Sequence, residues 1–347
     1  MLNNSVPKSD LLEKMDLSQI YTVAKAHSLT AITAYALESA GIKDERFRQE
    51  KAKAIRKNAA MNIEREKILS ELEKAGIWYM PMKGIILQEL YPKFGMRQMC
   101  DNDILFDKVQ VDVIKSIMNS LGFDMEHDDS GHDLAFTKKP ISNFELHTEL
   151  FGIGHDEKMN YYYEDVKSRL LKDTNNKYGF HFSNDDFYIF MIAHEYKHFN
   201  LGGTGLRSLI DTYVYIKKYS SSLDWIYISC ELKKLGIHDY ENNSRKLAFD
   251  LFDDIQLCNE EKKLLDYYIF SGTYGNTENS INNNLKKYNG NKVKYVIDRI
   301  ILPMEIVKKS YPIFYNNLLL LPLLPLYRLL RGIIRYKNRL FLELKQL

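Results

Sequence analysis

The sequence predicts an α+β protein, in which a mixed β-sheet follows N-terminal helices and precedes a mostly α-helical half. Three observations predict this class. Residues 11–75 contain no proline and repeat apolar side chains at helical spacing. Short β-favouring runs then alternate with helical stretches as far as residue 151, and beyond residue 156 the periodicity is mainly helical.

The N-terminal helical region has a single glycine, Gly41, and its apolar residues Ile68 and Leu72 lie four positions apart. Gly41 and Gly76 each follow an apolar-periodic stretch, which is where helices commonly end. We therefore expect helices that end near Gly41 and Gly76.

The sheet region follows directly. Its predicted strands are 77–82, 99–106, 123–127, 132–137 and 142–151, with a brief helix at 84–90 and a longer one from Asp107 to Gly122. Asp107 fits an N-cap, and the turn-forming residues 128–131 separate two of the strands. This order indicates a mixed sheet with helices on at least one face.

The helical half has predicted helices at 185–199, 206–218, 225–235, 241–257 and 260–270. The Asn/Gly-rich segment 273–291 is predicted to be a loop, because it supplies little to bury. An apolar and basic extension closes the chain. We therefore divide the chain into residues 1–155, residues 156–292 and a C-terminal extension at 293–347.

Composition restricts the class of protein further. The 347 residues include 48 Lys and Arg against 46 Asp and Glu, and 45% are hydrophobic, which excludes disorder of the whole chain. The balanced charge gives no strong nucleic-acid signal. Because the three cysteines lie far apart and form no CxxC pair, we expect neither a disulfide framework nor a cysteine zinc site. The N-terminus has no signal-peptide apolar stretch, so we expect a cytoplasmic protein.

Acidic residues follow two of the predicted strands. Asp101 and Asp103 are two apart within the predicted strand 99–106, so both would project from one face. Two neighbouring carboxylates in an otherwise apolar strand are costly unless a cation neutralises them, and Mg²⁺ is a natural partner. Glu145 shares a face with His147 on a later strand and would supply a third carboxylate for two metals. The alternative is a solvated rim at a strand end.

A basic turn precedes these acids. Lys83 and Gly84 lie where a strand gives way to a helix, so backbone N–H groups and the lysine charge could meet a phosphate there. Arg97 lies just before the acidic strand and could reach the same anion. Read alone, Lys-Gly is an ordinary turn.

These motifs resemble the uncharacterised bacterial nucleotidyltransferases of the DNA polymerase β-like superfamily. The resemblance is most specific in Met80–Gly84, Tyr91-Pro92, Arg97 and Asp101–Phe106, and it extends to Glu145–His147, His194–His198, Gly202–Arg207, Asp211, Tyr311-Pro312 and Leu320–Pro322. It departs from the superfamily in having Lys83-Gly84 where Gly-Ser is usual, and Glu145 where aspartate is commoner.

The resemblance implies a polymerase β-like nucleotidyltransferase sheet with N-terminal helices and a mostly α-helical C-terminal domain. It further implies two divalent metals, Mg²⁺ or Mn²⁺, with NTP as co-substrate. Asp101, Asp103 and Glu145 would be the catalytic metal ligands, and Lys83, Gly84 and Arg97 would bind nucleotide phosphate.

A second motif competes with this hypothesis. His194, Glu195 and His198 fit the H-E-x-x-H pattern of zinc proteases, but the sequence offers no third ligand at a typical spacing. His194 and His198 are otherwise either structural or part of the cleft, together with His147 and Arg207. Arg207 and Asp211, four residues apart on one helix, are expected to pair.

The C-terminal extension combines apolar and basic residues. Its arginines 328, 331, 335 and 339 fall on one helical face, opposite leucines 329, 330 and 340 and isoleucines 333 and 334. Either this helix docks on the helical domain, or it binds a membrane surface or a protein partner.

The leading hypothesis is a metal-dependent enzyme that moves a nucleoside monophosphate from an NTP to a hydroxyl-bearing acceptor. A small molecule, a saccharide or a peptide suits the near-neutral charge better than RNA as this acceptor. The alternatives are a catalytically inactive nucleotide-binding or scaffold protein of the same fold and, third, a zinc metalloprotease.

Overall fold

The computed structural model of the chain describes residues 2, 12–129, 132–152 and 157–335. Its N-terminal part consists of helices α1 (Leu17–Ala26), α2 (Thr30–Ser39) and α3 (Glu45–Ala75). Asp16 and Asp44 cap α1 and α3 by accepting hydrogen bonds from the first free backbone N–H groups. Gly41 and Gly76 follow α2 and α3 with φ of 77° and 72°, which confirms the predicted helix ends.

The central sheet contains β1 (Tyr79–Pro81), β2 (Asn102–Phe106), β3 (Asp124–Asp129), β4 (Asp133–Lys138) and β5 (Ser142–His147) in the order β1-β2-β5-β4-β3. β2 and β5 are parallel, and the other neighbours are antiparallel. Two helices lie within this region, α4 (Gly84–Leu87) after β1 and α5 (Val111–Ser120) after β2. The mixed sheet predicted from the sequence is confirmed.

The two faces of the sheet have different surroundings. Ile104 and Phe106 of β2 pack in a core with side chains of α3 and α5, among them Ile68 and Met118. Leu105 points the other way, into a second core shared with the helical half, because successive strand residues alternate between faces. Asp103 therefore lies on the face that looks toward the helical half.

The helical half begins with α6 (Glu157–Tyr162) and a small hairpin of β6 (Leu171–Lys172) and β7 (Phe180–His181), none of which is among the elements predicted above. It continues with α7 (Asn184–Leu201), α8 (Leu206–Tyr219), α9 (Trp225–Leu235), α10 (His238–Phe252) and α11 (Asn259–Ser271). Helix α7 is apolar over most of its first ten residues, so it lies in the core. The α+β class with a following helical part is thus confirmed.

The predicted loop at 273–291 is wrong, because α12 (Thr277–Lys287) occupies most of it. Asn276 caps this helix through its side chain, Ile281 is buried, and the Asn283 amide donates to the backbone carbonyl of Phe199. Polar asparagines therefore stabilise the helix by bonding to its surroundings, which composition alone does not reveal.

The C-terminal extension forms α13 (Lys292–Ile300), α14 (Met304–Ser310), α15 (Pro312–Asn316) and α16 (Leu324–Arg335). Arg339 and Leu340 of the predicted terminal helix lie outside the described residues. In residues 157–335 and the other described ranges, no helix has the length and apolar character needed to cross a bilayer.

Candidate active site

The acidic residues meet where β2 and β5 run side by side. In this parallel pair Asp103 is the register partner of Glu145, and Leu105 is the partner of His147. Asp103, Glu145 and His147 all project from the face opposite the α3/α5 core. The strand alternation therefore brings together two residues that lie 42 positions apart.

The three side chains form one compact donor group. The His147 Nε2 atom lies 3.3 Å from Asp103 Oδ1 and 3.7 Å from Glu145 Oε2. One donor atom from each residue lies within 4.8 Å of the others, and this trio is the metal-capable group found among the described residues. The two carboxylates of this group suit a divalent cation such as Mg²⁺ or Mn²⁺, which prefers oxygen ligands. The Nδ1 atom of His147 is buried without a hydrogen-bond partner.

Asp101 differs from its predicted position. It does not lie inside the strand, because β2 begins at Asn102. The preceding carbonyls instead accept hydrogen bonds from α3: Cys100 O from Lys57, and Arg97 O from Asn58. These hydrogen bonds to α3 take the place of pairing with a neighbouring strand, so Asp101 lies in an irregular segment that precedes β2. Its side chain lines the same cavity as Asp103 and Glu145.

The pKa values of the three carboxyl groups are shifted in different directions. Burial alone would raise the pKa of Asp103, but the Lys83 charge and the His147 hydrogen bond lower it to about 2. Burial, followed by the repulsion of Asp103 and Asp101, raises the pKa of Glu145 to about 6. Burial and Asp103 also raise the pKa of Asp101. Burial is therefore the main reason that Asp101 and Glu145 bind their protons more tightly, and repulsion between neighbouring carboxylates adds to it.

The turn at Lys83 and Gly84 lies next to the acidic cluster. Lys83 is the N-cap of α4 and has φ of 29°, an unfavourable conformation for a residue with a side chain. Its Nζ atom lies 3.8 Å from Asp103 Oδ2 and 2.7 Å from Nε2 of His194. Burial lowers the pKa of Lys83. With this backbone conformation, the Lys83 ammonium group lies between the acidic cluster and α7.

Gly84 follows in the same turn. A Cβ atom there would lie 2.8 Å from Met99 Cε and 3.0 Å from Arg97 Nη1, so the position accommodates only glycine without movement of a neighbour.

Arg97 is buried in an ion pair. Its Nε and Nη2 donate to the two carboxylate oxygens of Asp211 at 2.8 and 2.9 Å, and the Tyr91 hydroxyl donates to the same carboxylate at 2.7 Å. The expected pairing of Arg207 with Asp211 is therefore wrong, since Arg207 Nη1 donates to the carbonyl of Gln98. Asp211 pairs with Arg97, which lies 114 residues away in the sequence, and no local sequence pattern indicates such a contact.

The two histidines of the H-E-x-x-H motif face the cavity. Their Nε2 atoms lie 3.3 Å apart, and the Lys83 ammonium group is in hydrogen-bond contact with His194. Burial, with Lys83, holds the pKa of His194 well below its usual range. An ammonium group beside His194 Nε2 repels a zinc ion, and the described residues offer these histidines no third ligand. The geometry therefore disfavours the zinc-protease alternative.

These groups enclose a cavity of about 430 Å³. The sheet side contributes the acids and His147, and the helical side contributes Arg207, Lys197 and the two histidines of α7. Burial, followed by Lys83, lowers the pKa of Lys197 to about 8. Tyr274, which lies in the segment predicted to be a loop, also lines the cavity and donates to Cys100 Sγ at 3.1 Å. Tyr274 is not among the predicted site residues, because no motif near it in the sequence indicates a site.

Comparison with known proteins adds one finding. A family model described as uncharacterised nucleotidyltransferase matches residues 13–253, which include the acidic cluster, the basic turn and the α7 histidines. No curated protein and no solved structure matches the chain.

Proposed function

Because the chain belongs to the uncharacterised nucleotidyltransferase family, we propose that it transfers a nucleoside monophosphate from an NTP to an acceptor hydroxyl group in a reaction that requires a divalent metal. The observation that carries this proposal is the register pairing of Asp103 with Glu145 on adjacent parallel strands, beside the third acid Asp101.

The donor set fits a divalent cation. Asp103 and Glu145 supply carboxylate oxygens within reach of one another, and the pKa values of Glu145 and Asp101 are raised first by burial and then by the neighbouring carboxylates. We assign Asp101, Asp103 and Glu145 as the metal ligands, and His147 as the group that holds the Asp103 carboxylate in place. When bound there, Mg²⁺ or Mn²⁺ would neutralise the triphosphate and polarise the reacting phosphoryl group.

The reaction itself needs little covalent chemistry from the protein. The acceptor oxygen attacks the α-phosphorus of the NTP, a new P–O bond forms, and the bond to the β-phosphate breaks to release pyrophosphate. The acceptor proton passes to a base. We assign Glu145 as the carboxylate that receives this proton, because its side chain is more exposed to the cavity than that of Asp103. The remaining contribution is positioning and charge stabilisation.

Cations on the cavity wall provide the matching anion site. Lys83 and Gly84 form the turn at the start of α4, while Lys197 and Arg207 approach from the helical side. We assign Lys83, Gly84 and these two cations to the triphosphate. Arg97 lines the same wall, and Asp211 holds its guanidinium in place. The acceptor we favour is a small molecule, a saccharide or a peptide, because the near-neutral charge of the chain suits RNA less well.

The test is transfer from each α-labelled NTP in the presence of Mg²⁺ or Mn²⁺, with a host lysate as the source of acceptor. We expect labelling of an acceptor by the wild-type chain, and a loss of at least about 100-fold in Asp103→Asn and in Glu145→Gln. Asp124→Asn is the matched control, because this aspartate is exposed at the start of β3 and lies outside the cavity lining.

Two results would contradict the proposal. Full labelling by Asp103→Asn, or labelling that persists in EDTA, would exclude the acid cluster as the catalytic centre. Tight binding of an NTP without turnover of any acceptor would instead identify a catalytically inactive nucleotide-binding protein of the same fold.

A further inference from the structure

The C-terminal segment 292–335 exposes a large apolar surface. Among the described residues, 15 of the 29 exposed large hydrophobic side chains lie in this segment. Six of these residues lie on or shortly before the last helix, and we call them the C-terminal apolar surface: Leu319, Leu326, Leu329, Leu330, Ile333 and Ile334. Contiguous apolar patches on a folded protein mark interaction sites. The segment also lies outside the residues that the family model matches.

Helix α16 is oriented with its apolar side outward. Leu326, Leu329 and Leu330 are 50–57% exposed, and Ile334 is 81% exposed. On the opposite side Arg328 Nη1 donates to the carbonyl of Ile300 in α13 at 3.2 Å. A terminal helix that docks on its own domain buries its apolar side instead. The apolar side chains of α16 at positions 326, 329, 330, 333 and 334 are therefore exposed, and of the two alternatives for this helix the exposed apolar side favours an external partner.

The same segment is strongly basic. Residues 292–335 contain eight Lys and Arg against two Asp and Glu, a net charge of +6 in a chain whose total is +2. A second copy of the chain is a poor partner for this surface, because association would bring two such basic segments together. An anionic surface is complementary to it.

Aromatic rings complete the pattern. Phe314 packs on Tyr327 with ring centroids 5.2 Å apart, and Tyr311 lies 6.4 and 6.3 Å from these two rings. Tyrosine side chains are enriched where apolar and aqueous phases of a membrane meet.

We propose that residues 292–335 bind the surface of a bilayer containing anionic phospholipids, with the apolar face of α16 among the acyl chains and exposed basic side chains such as Lys294 at the headgroups. The prolines 303, 312, 322 and 325 divide the segment into short helices that lie along a surface rather than cross it. This proposal does not depend on the transferase activity.

The experiment is flotation of the full chain with vesicles of phosphatidylcholine alone, and with vesicles of phosphatidylcholine and phosphatidylglycerol. We expect binding to the anionic vesicles only, and a decrease as salt rises. The variant Leu329→Asp/Ile333→Asp should lose binding at least about tenfold, and Lys294→Glu and Arg331→Glu about fivefold or more each. Ile226→Asp and Lys233→Glu on α9 are matched controls, because both side chains are exposed outside the segment.

Circular dichroism and light scattering on the same samples separate folding and self-association from membrane binding. Equal binding of the wild-type chain to both vesicle types, or binding to neither, overturns the proposal. So does a wild-type oligomer that Leu329→Asp/Ile333→Asp converts to a monomer, because that result would assign the surface to a second copy.

Discussion

Replacement of Asp211 by asparagine is expected to lower the free energy of unfolding by about 3–5 kcal/mol, because it leaves the buried Arg97 charge without its partner. The side chains of this pair are 8% and 7% exposed, so water compensates little. The aspartate accepts two hydrogen bonds from Arg97 and one from Tyr91. Asparagine has one acceptor oxygen and sets an N–H donor against the remaining donors. A hydrogen bond to a charged group contributes about 1.5–3 kcal/mol, so the loss of about two of these three bonds agrees with the expected total.

Urea unfolding followed by tryptophan fluorescence measures this loss. Asp253→Asn is the matched control: Asp253 also accepts from a tyrosine hydroxyl, that of Tyr213, but its side chain is 32% exposed. We expect the control to cost less than about 1 kcal/mol. Adding Arg97→Met to Asp211→Asn should restore part of the stability, because the unpaired charge is gone. The reasoning is refuted if Asp211→Asn matches the control, or if the effects of Arg97→Met and Asp211→Asn are additive.

Three further predictions concern the cavity and α12. The pKa of Glu145 is about 6 against its usual value of 4.5, so the folded chain binds this proton more tightly than the unfolded chain, and stability should fall as pH rises between these values. In EDTA, Glu145→Gln should flatten the pH dependence of the free energy of unfolding in this range. Parallel pH profiles of the variant and the wild-type chain, measured by urea unfolding, would refute this. Gly84→Ala should cost about 1 kcal/mol, because the Met99 methyl group can move aside but the Arg97 guanidinium is held by Asp211. Gly332→Ala, with open space around it, should not destabilise the chain, and equal thermal unfolding midpoints would contradict this. Asn276→Ala should remove the cap of α12, cost about 0.5–2 kcal/mol and speed hydrogen exchange in residues 277–287, and unchanged exchange would show that the cap is dispensable.

Local periodicity was sufficient to predict most of the fold. Strand alternation and glycine helix ends depend on neighbours in sequence, so Gly76 and the β2 and β5 strands were identified from the sequence. The same alternation explains why Glu145 and His147 share a face. The assignment of the acids as metal ligands, the metals themselves and the domain limits stay predictions.

Local sequence patterns do not predict contacts between distant parts of the chain. The Arg97–Asp211 pair and the approach of Lys83 to His194 join residues more than 100 positions apart. Asp101 left the predicted strand because side chains of α3 bind the carbonyls before it. Helix α12 forms because Asn276 caps it and Asn283 reaches the end of α7. Each of these outcomes depends on tertiary partners, so composition and spacing could not supply them.

The parallel pairing of β2 with β5 also has a thermodynamic consequence. Parallel strands need a long crossover, and here the chain passes through α5, β3 and β4 before Glu145 meets Asp103. The acid cluster therefore exists only in the folded chain, and the unfolded chain has no equivalent binding site. Any cation or nucleotide that binds there stabilises the folded state by mass action, by about 2.7 kcal/mol at 100 times its dissociation constant. The melting temperature of the protein thus serves as a ligand detector that requires no knowledge of the acceptor.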